Sequence, residues 1–333
     1  MKIYCLETEQ WVEEYLKKSL AEHDVVCRPE TLQDAEVVAD ALVLCVFVNS
    51  RVTAEVLAKY PSLKLVVTRS TGYDHIDLVE CQKRGVVVCN VPSYGEHTVA
   101  EYTFALMLSL SRKIYEGVRR VHEENKFHTD GLKGFDLFGK TLGVIGTGRI
   151  GCHVIEIANG LGMSVVAYDS LPKAELEKSF SMKYVTLEEL LERADVLTIH
   201  TPYLPSTHHL LNSENLKLVK SGAVLVNTAR GAIVETAGLL SALKSGRLAG
   251  AALDVLEEEG YVGEEWKLFG EGRGASGRME TVLADHILLR MPNVLITPHN
   301  AFNTQEALER ILQVSVENIL GFDGGEAKNL VKF

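Results

Sequence analysis

The chain has 333 residues, enough for two domains with a hydrophobic core in each. Its formal net charge of −11 at pH 7 argues against general nucleic-acid binding, which depends on Lys and Arg side chains that neutralise phosphates. The longest apolar runs, such as residues 41–48, stop far short of the roughly 20 residues that cross a bilayer, so no membrane partner is expected. The first residues enter a strand-like pattern without signal-peptide architecture, which favours a cytoplasmic protein.

The first hundred residues alternate between short apolar strands and helical stretches, which predicts an α/β unit. The predicted strands are Lys2–Glu7, Val25–Pro29, Ala41–Val48, Leu63–Thr68 and Gly85–Val91. A long helix is predicted next, over Glu96–Asn125. Because its segment Ala100–Leu110 is apolar nearly all round, this helix must be buried on several sides, by its own protein or by a partner subunit.

From Lys140 onward, near-continuous apolar strands alternate with helices, which predicts βαβ units and a parallel sheet covered on both faces. The predicted strands are Thr141–Gly146, Ser164–Asp169, Val196–His200, Ala223–Thr228, Leu248–Val255 and Val294–Thr297. The predicted helices are Ile150–Leu161, Leu187–Ala194, Ser213–Lys220, Thr236–Ser245 and, at the tail, Thr304–Phe322. Glycines interrupt any period in Glu257–Arg290, where we expect a long loop of the kind that is usually functional or mobile.

The six cysteines give no sign of a disulfide framework or a metal site. They are Cys5, Cys27, Cys45, Cys81, Cys89 and Cys152. None of them forms a CxxC pair, and five lie within or beside apolar stretches. We therefore expect buried, reduced thiols and no bound metal.

A dinucleotide fingerprint follows the strand at Thr141–Gly146. Residues 146–151 read GTGRIG, which matches GxGxxG, and a predicted helix leaves this turn. The three glycines suit a tight turn, a close approach of the backbone to a pyrophosphate, and close packing of helix on strand. Asp169 ends the next strand, 18 residues past Gly151, where a carboxylate accepts hydrogen bonds from ribose hydroxyls and repels a 2′-phosphate. The pattern predicts binding of NAD through Gly146, Gly148, Arg149, Ile150, Gly151 and Asp169.

Ionisable residues follow the ends of three later strands, where ligands collect in such sheets. They are Arg230, the acids Asp254 and Glu259, and His299. Reduction of a 2-oxo acid moves a hydride to the keto carbon and a proton to its oxygen. An imidazole titrates near pH 6.5, so His299 suits the proton transfer, and a carboxylate beside it, Glu259, would stabilise its protonated form and fix its orientation. Arg230 would hold the substrate carboxylate and polarise the carbonyl.

The chain resembles the D-2-hydroxyacid dehydrogenases and, within them, the D-lactate dehydrogenase type. The resemblance runs nearly end to end and rests on residues 69–77 (RSTGYDHID), 99–101 (VAE), 143–151 (GVIGTGRIG), 200–202 (HTP), 227–231 (NTARG), 253–259 (LDVLEEE) and 297–302 (TPHNAF). It implies an α/β fold of two domains. A Rossmann-type NAD-binding domain would span 102–298, and both chain ends, 1–101 and 299–333, would form a flavodoxin-like substrate domain, with the active site in the cleft between the two.

The resemblance also assigns roles to individual residues. It implies that Arg230, Glu259 and His299 are catalytic, that Glu259 partners His299, and that Asp254 contacts the nicotinamide carboxamide. Further cofactor contacts are implied for His200, Thr201, Pro202, Thr228 and Ala229. Backbone N–H groups at Thr71 and Gly72 would help to bind the substrate carboxylate, and Phe47 and Tyr94 are candidates for the substrate pocket, although either could be a core aromatic.

The substrate is predicted to be pyruvate, yielding D-lactate, because Asn300-Ala301-Phe302 after His299 matches the lactate type and Phe47 would narrow the pocket. A related enzyme for bulkier 2-oxo acids or for hydroxypyruvate and glyoxylate is the alternative. A non-enzymatic alternative is an NADH-sensing protein of the corepressor kind, although the chain lacks a Pro/Ser-rich tail for docking partners. The resemblance and the apolar helix near Ala100–Leu110 predict a homodimer.

Overall fold

The computed structural model of the protein describes residues 1–261 and 275–331. The chain forms two compact units, Met1–Gly95 with Asn303–Phe333, and Glu96–Phe302. Residues 96–101 and 299–302, which the sequence assigned to the substrate domain, thus group with the second unit. Each unit is a parallel sheet flanked by helices, as the alternation of strands and helices predicted.

The elements are short, and their bounds lie within a few residues of most predicted ones. The strands are β1 (Lys2–Cys5), β2 (Asp24–Cys27), β3 (Val43–Val46), β4 (Leu65–Thr68), β5 (Val87–Cys89), β6 (Thr141–Ile145), β7 (Ser164–Tyr168), β8 (Met182–Tyr184), β9 (Val196–Ile199), β10 (Ala223–Asn227), β11 (Leu248–Leu253) and β12 (Val294–Ile296). The helices are α1 (Gln10–Ser19), α2 (Ala54–Ala58), α3 (Leu78–Lys83), α4 (Glu96–Ser111), α5 (Ile114–His122), α6 (Arg149–Gly160), α7 (Ala174–Ser179), α8 (Leu187–Arg193), α9 (Thr236–Lys244), α10 (Ala275–Arg290) and α11 (Gln305–Asp323).

In the first unit, five described strands pair in the order β2-β1-β3-β4-β5, and every pair is parallel. Successive side chains of a strand point to opposite faces, so Ile3 and Cys5 pack with α1 and α11 while Tyr4 packs with α2 and α3. Because helices cover both faces, the strands carry apolar residues on both sides, which explains their continuous apolar runs.

In the second unit, seven described strands pair in the order β12-β11-β10-β9-β6-β7-β8, all parallel. The chain winds outward from β6 through β7 and β8, then returns to the other side of β6 and winds outward through β9 to β12. The strand order therefore reverses between β6 and β9. In open α/β sheets, ligands bind beyond the carboxyl ends of the strands at such a switch point.

The predicted helix Glu96–Asn125 is two helices, α4 and α5, and this part of the prediction was wrong. Lys113 has a left-handed backbone (φ 52°), which ends the helical path. The Ser111 carbonyl, which would have continued the helix, accepts a hydrogen bond of 3.0 Å from the Phe135 amide instead. A Cβ on Gly134 would lie 2.1 Å from that carbonyl oxygen, so only glycine permits this approach.

Two other predicted segments differ. Ser213–Lys220 contains only a 3₁₀ turn, Asn215–Leu218, because the Asn212 side chain accepts from the amides at the start of this turn. The expected loop over Glu257–Arg290 is a helix in its last part, since α10 begins at Ala275; residues 262–274 lie outside the described residues. The short elements β8 and α7 were not predicted.

The apolar helix α4 is largely covered by its own unit. It packs against α6, β10 and β11, and it buries Ala100, Phe104, Leu106 and Met107. Its burial therefore needs no partner subunit along most of its surface. Neither α4 nor any other helix in residues 1–261 and 275–331 combines the length and hydropathy needed to cross a membrane.

All six cysteines are free thiols, as predicted, and five of them are buried. Cys5 lies opposite Cys27 on one neighbouring strand and opposite Cys45 on the other. Burial raises the pKa of the Cys81 and Cys89 thiols to about 11, so both are protonated at neutral pH. Within the described ranges, no group of three or more His, Cys, Asp or Glu side chains is arranged to hold a metal ion.

Candidate active site

The glycine turn between β6 and α6 lies at the switch point of the second sheet. Gly146 has φ +97°, and a Cβ there would lie 2.8 Å from the carbonyl carbon and oxygen of His200. A Cβ on Gly151 would lie 2.1 Å from the Gly146 carbonyl oxygen, so this glycine lets the helix approach the strand. A Cβ on Gly148 would meet nothing within 4 Å, which leaves open space where a phosphate would approach the backbone.

Arg149 and Ile150 begin α6, whose first-turn amides have no preceding helical turn to bond. The amides and the helix dipole together favour an anion at this end. Ile150 is partly buried against the core of the unit, and the Arg149 guanidinium is exposed, with Nη1 at 3.5 Å from Glu96 Oε1. The contact of Arg149 with a pyrophosphate stays a prediction.

Asp169 follows β7 and faces the glycine turn. Its Oδ2 accepts hydrogen bonds from the amide and the hydroxyl of Thr147 at 2.7 and 2.9 Å, and its Oδ1 accepts from the Leu171 amide at 2.9 Å. Burial opposes its ionisation, but the hydrogen bonds from Leu171 and Thr147 outweigh this, so the pKa of the carboxyl lies below its ordinary value. The side chain is thus an anion at neutral pH, as a partner for ribose hydroxyls requires.

The segment His200–Pro202 follows β9, on the other side of the switch point. Burial lowers the pKa of His200 to about 3, so the ring is neutral, and its Nε2 lies 2.8 Å from Thr198 Oγ1. The Pro202 carbonyl accepts from the Thr207 hydroxyl at 2.7 Å. Thr201 Oγ1 is buried and has no hydrogen-bond partner among the described residues. A buried polar atom normally has a partner, so this hydroxyl beside the glycine turn fits a bound ligand.

These features agree with a dinucleotide. The open space at Gly148, the ionised Asp169 and the Thr201 hydroxyl, which has no partner in the described part of the chain, all lie at the switch point of one sheet. The residues after Asp169 are Ser170, Leu171 and Pro172, so no Arg is available there to bind a 2′-phosphate. The residues present fit NAD.

Three strand ends bring the predicted catalytic residues to one edge of the sheet. Asn227 of β10 is in register with Leu253 of β11, which is in register with Ile296 of β12. The backbone pairing between these strands continues past their ends. The Asp254 amide donates to the Asn227 carbonyl and the Thr297 amide to the Leu253 carbonyl, each at 2.9 Å. Arg230 lies three residues after Asn227, and His299 lies three residues after Ile296.

His299 and Glu259 are in contact. Nδ1 of His299 lies 2.8 Å from Oε1 of Glu259, which leaves Nε2 of the ring for the exchange of a proton with a ligand. His299 has a left-handed backbone (φ 50°), uncommon for a residue with a side chain, and its amide donates to the Asp254 carbonyl at 2.8 Å. Such strain persists only where the surroundings hold it, and it occurs often at functional sites.

Asp254 holds the turn that carries His299. Its carboxylate is buried, and it accepts from the Thr297 hydroxyl (2.6 Å), the Asn300 amide (2.9 Å) and the Ala301 amide (2.8 Å). Burial raises the pKa of this carboxyl, and the three hydrogen bonds oppose that shift. Both oxygens face residues 297–301, and the contact to the nicotinamide that the resemblance implies stays a prediction.

Arg230 lies on a turn built by Asn227. The Asn227 side chain accepts from the Ala229 amide at 3.0 Å and donates to the Arg230 carbonyl at 2.9 Å, which closes the turn. The half-buried Arg230 guanidinium donates from Nη1 to the Ala229 carbonyl at 2.8 Å. Thr228 Oγ1 lies 2.9 Å from Thr103 Oγ1 of α4.

The predicted substrate residues Thr71, Gly72, Phe47 and Tyr94 lie in the first unit. Thr71 Oγ1 donates to the Val91 carbonyl at 2.7 Å, and the Gly72 carbonyl accepts from Ser70 Oγ at 2.6 Å. The Thr71 and Gly72 amides donate to no acceptor among residues 1–261 and 275–331. They are therefore available to bind an anion.

Phe47 and Tyr94 are both half-buried. The Arg69 guanidinium carbon lies 5.5 Å from the centre of the Phe47 ring, and the Phe47 amide donates to Glu7 Oε1 at 3.2 Å. The Tyr94 carbonyl accepts from Arg310 Nε at 2.6 Å. These contacts fix both residues within the first unit, and their roles in a substrate pocket stay predictions.

The sequence pointed to no role for Glu257, which lies two residues before Glu259, or for His209, which contacts Glu257. Glu257 Oε1 lies 2.6 Å from Nε2 of His209, so the same short segment supplies a second His–Glu pair. Glu257 belongs to the 253–259 motif, but His209 lies in a turn whose spacing carries no signal for such a contact.

Comparison with known proteins gives one consistent result. Residues 104–301 match the family described as D-isomer specific 2-hydroxyacid dehydrogenase, NAD binding domain. A 2-hydroxyacid dehydrogenase homolog from Zymomonas mobilis is 39% identical over 312 residues, 91% of this chain and 91% of that protein. A glyoxylate reductase from Korarchaeum cryptofilum is 36% identical over 294 residues, 87% of this chain and 82% of that protein.

Among solved structures, the D-lactate dehydrogenase from Aquifex aeolicus, complexed with NAD and lactic acid, superimposes with a TM-score of 0.87 at 35% identity, over 99% of this chain and 98% of that one. The match therefore spans both units. The chain belongs to the D-isomer-specific 2-hydroxyacid dehydrogenase family and is an NAD-dependent oxidoreductase of that family.

Proposed function

We propose that the enzyme reduces pyruvate to D-lactate with NADH. The observation that carries a 2-oxo acid reduction is the contact of 2.8 Å between His299 and Glu259, at the sheet edge that also carries Arg230. The choice of pyruvate rests on Asn300-Ala301-Phe302 after His299 and on the similarity to the Aquifex aeolicus D-lactate dehydrogenase.

The proposed reaction consumes one 2-oxo acid, one NADH and one proton. Bound NADH supplies the hydride to the keto carbon. Protonated His299 gives the proton on Nε2 to the keto oxygen, which becomes the hydroxyl of the product. Glu259, on Nδ1 of the ring, stabilises the imidazolium before transfer and keeps Nε2 turned toward the substrate.

Arg230 is proposed to bind the substrate carboxylate and to polarise the carbonyl. A guanidinium presents two parallel N–H donors, which match the two oxygens of a carboxylate and so fix the orientation of the keto group. The turn closed by Asn227 supports this role, because it fixes the backbone from which the guanidinium extends. The Thr71 and Gly72 amides, as the resemblance implies, are proposed as further donors to the carboxylate.

The second candidate substrate class is glyoxylate with hydroxypyruvate, which the similarity to the Korarchaeum cryptofilum glyoxylate reductase favours. Such substrates share the 2-oxo carboxylate and differ from pyruvate only in a small group. One methylene in an apolar pocket is worth about 1–3 kcal/mol, so some activity on neighbouring substrates is expected in either case.

A spectrophotometric assay of NADH loss with a panel of 2-oxo acids tests the proposal. Pyruvate should give the highest kcat/KM, and the product should be the D-isomer on a chiral column. The choice of pyruvate fails if kcat/KM for glyoxylate, phenylpyruvate or 4-methyl-2-oxopentanoate is about tenfold higher, a gap of about 1.4 kcal/mol in the activation barrier. An L-isomer product would contradict the stereochemistry.

We further propose that the enzyme is a homodimer. Helix α5 supports this, because its apolar residues Ile114, Tyr115, Val118 and Val121 are exposed along one side of the helix and it buries none of its residues within the unit. A contiguous apolar face of this kind usually marks an interface. Light scattering at micromolar concentration should give twice the chain mass of 36.7 kDa, and a monomer would contradict the proposal.

The proposed location is the cytoplasm. The six free thiols support this, because reduced cysteines are typical of a reducing compartment. Fractionation of cells that express the protein at its natural level should recover the NADH-dependent activity with cytoplasmic marker enzymes.

A further inference from the structure

The side chain of Glu259 is exposed, although its position decides the contact with His299. It has 43% of its surface open to solvent, and beyond His299 its carboxylate accepts a long hydrogen bond of 3.3 Å from the Leu256 amide. Among residues 1–261 and 275–331, these two contacts are the only ones that hold the exposed carboxylate, and they are too few to fix its position. Its position must come from the backbone of the segment that carries it.

Glu257 anchors this segment two residues before Glu259. Its carboxylate is 13% exposed, with Oε1 at 2.6 Å from Nε2 of His209. Oε2 accepts from the amide and the hydroxyl of Thr236, at 3.1 and 2.7 Å. Three donors therefore hold a nearly buried carboxylate, which is the way proteins satisfy a buried acid.

His209 is itself fixed by the segment that carries Arg230. Its backbone is left-handed (φ 49°), and its amide donates to the Ala232 carbonyl at 2.9 Å. The His209 carbonyl accepts from the Asn212 side chain at 3.1 Å, and the ring stacks on His208 with centroids 3.8 Å apart. The imidazole that binds Glu257 is thus attached to the turn just after Arg230.

The two proposed catalytic segments also touch directly. A Cβ on Gly231 would lie 2.0 Å from the carbonyl carbon of Leu256 and 2.3 Å from the Glu257 nitrogen. The backbone after Arg230 and the backbone before Glu259 are therefore in close contact, with no room for a side chain. The distance between the segment after Arg230 and the segment before Glu259 therefore depends on the side-chain contacts that hold these two backbones together.

We propose that His209 and Glu257 form a positioning pair for the reaction. The pair holds the turn after Arg230 and the segment before Glu259 at one spacing, so that Arg230 and the Glu259–His299 contact act on the same substrate. Neither residue touches the substrate, and each acts through a neighbour. The inference rests on the proposed roles of Arg230, Glu259 and His299.

The electrostatic surroundings make this pair sensitive to loss of one member. The buried carboxyl of Asp285, on α10, faces Glu257 and Glu258, and His286 lies beside it. If Glu257 loses the imidazole, a nearly buried anion remains near another acid with fewer donors. Such a group moves toward solvent, because an unpaired buried charge is costly. The segment that carries Glu259 would move with it.

Two variants test the pair, with one matched control. His209→Asn removes the imidazole and keeps a residue that tolerates a left-handed backbone. Glu257→Gln keeps the shape of the side chain and removes its charge. His128→Asn is the control, because it makes the same change at an exposed histidine whose ring lies 3.4 Å from Asp130. Each protein is assayed for kcat, KM for pyruvate, NADH binding by fluorescence, thermal midpoint and the pH profile of pyruvate reduction.

The pair variants should lower kcat by about tenfold, since displacement of catalytic groups by about 1 Å is known to cost up to about 100-fold. The limb of the pH profile that reports the proton donor should move by about half a pH unit or more to lower pH, as Glu259 supports the imidazolium less well. NADH affinity should stay within about twofold of the unmodified enzyme, and His128→Asn should leave every value unchanged.

A double variant separates positioning from simple destabilisation. In a Glu259→Gln background, Glu257→Gln should no longer move the pH profile, because the group that it positions is gone. If Glu257→Gln and His209→Asn lower only the thermal midpoint, with kcat within about twofold and an unchanged pH profile, the proposal is wrong. It is also wrong if the shift persists undiminished in the Glu259→Gln background. If one of the two variants, His209→Asn or Glu257→Gln, does not fold, the kinetic values and pH profile of the other variant test the proposal.

His299→Gln distinguishes this result from a failure of the proposed function. If His299→Gln keeps full activity, the proposed proton donor is wrong and the pair has no such group to position. If His299→Gln is inactive and the pair variants behave like the unmodified enzyme, only the positioning role is overturned.

Discussion

Glu257 and Glu259 lie two residues apart, yet their carboxylates bind different histidines. Glu259 Oε1 is 2.8 Å from Nδ1 of His299, and Glu257 Oε1 is 2.6 Å from Nε2 of His209. The outer acid is 43% exposed and the inner one 13%. One short turn thus presents a carboxylate to the proposed proton donor and a second carboxylate to the protein interior, so the two should respond differently to the same substitution.

Replacement of the proposed proton donor should affect the chemical step. We expect His299→Gln to lower kcat by about 100-fold or more, because general-acid catalysis commonly contributes about 10² to 10⁴. NADH binding should be retained. Steady-state kinetics with pyruvate and fluorescence titration with NADH measure the two effects, and the exposed His128→Gln is the control. A kcat within threefold of the unmodified enzyme would exclude His299 as the acid.

Removal of the charge on Glu259 should shift the pH dependence and leave the fold intact. In Glu259→Gln the imidazolium of His299 loses a carboxylate at 2.8 Å. A protonated ring without this partner releases its proton more readily, so pyruvate reduction should decline at lower pH than in the unmodified enzyme. The pH profile of kcat/KM checks this, with Glu188→Gln on the surface as control. An unchanged profile would mean that the contact does not affect proton transfer.

Arg230→Lys should be severe although it conserves charge. An ammonium cannot reproduce the two parallel donors of a guanidinium. Hydrogen bonds to charged groups contribute about 1.5–3 kcal/mol, so kcat/KM for pyruvate should fall by about 10- to 100-fold. Arg193→Lys provides the matched control, since Arg193 makes only a surface pair with Glu189 at 2.7 Å among its described contacts. Equal losses in both variants would show that the effect is not specific to Arg230.

Asp169→Ala should erode the preference for NADH over NADPH. The ionised carboxylate is proposed to accept from the ribose hydroxyl and to repel a 2′-phosphate, a difference of about 1–3 kcal/mol. Because Asp169 also holds the Thr147 amide at 2.7 Å, Asp169→Asn should be compared, as it keeps an acceptor and loses the charge. The ratio of kcat/KM for the two cofactors is the measurement. Equal use of both cofactors by the unmodified enzyme would remove Asp169 from this role.

Much of the fold could be predicted, because its information is local in sequence. The strands are apolar runs that end at turn residues. The carboxyl ends of parallel strands share one edge of the sheet, which was enough to expect Arg230 and His299 at that edge, on either side of the strand that precedes Asp254. The break between α4 and α5 could not be found, since it depends on the Phe135 amide reaching the Ser111 carbonyl from 24 residues away. The role of His209 could not be predicted for the same reason, because its partner Glu257 lies 48 residues later in the chain.

Asp285 should make the stability of the enzyme depend on pH. This carboxyl on α10 is 0% exposed. Burial raises its pKa from 3.8 to about 7; a hydrogen bond with the Glu258 backbone opposes this shift, and the charges of Glu257 and Glu258 add to it. The folded state therefore binds a proton that the unfolded state releases between about pH 4 and pH 7, so this group's contribution to stability is complete below pH 4 and is lost as the pH rises to about 7.

Asp285→Leu removes the titrating group and keeps a side chain of suitable size for an apolar site. The free energy of unfolding of this variant, relative to that of the unmodified enzyme, should rise between pH 5 and pH 8. The full pKa shift of Asp285, from 3.8 to about 7, corresponds to roughly 4 kcal/mol at most. Urea denaturation midpoints at pH 5, 6, 7 and 8 measure the difference. Glu280→Gln, on an exposed position of the same helix, should show a difference that does not change with pH. If Asp285→Leu behaves like that control, the Asp285 carboxyl is ionised without cost in the folded protein, and its burial has no electrostatic consequence.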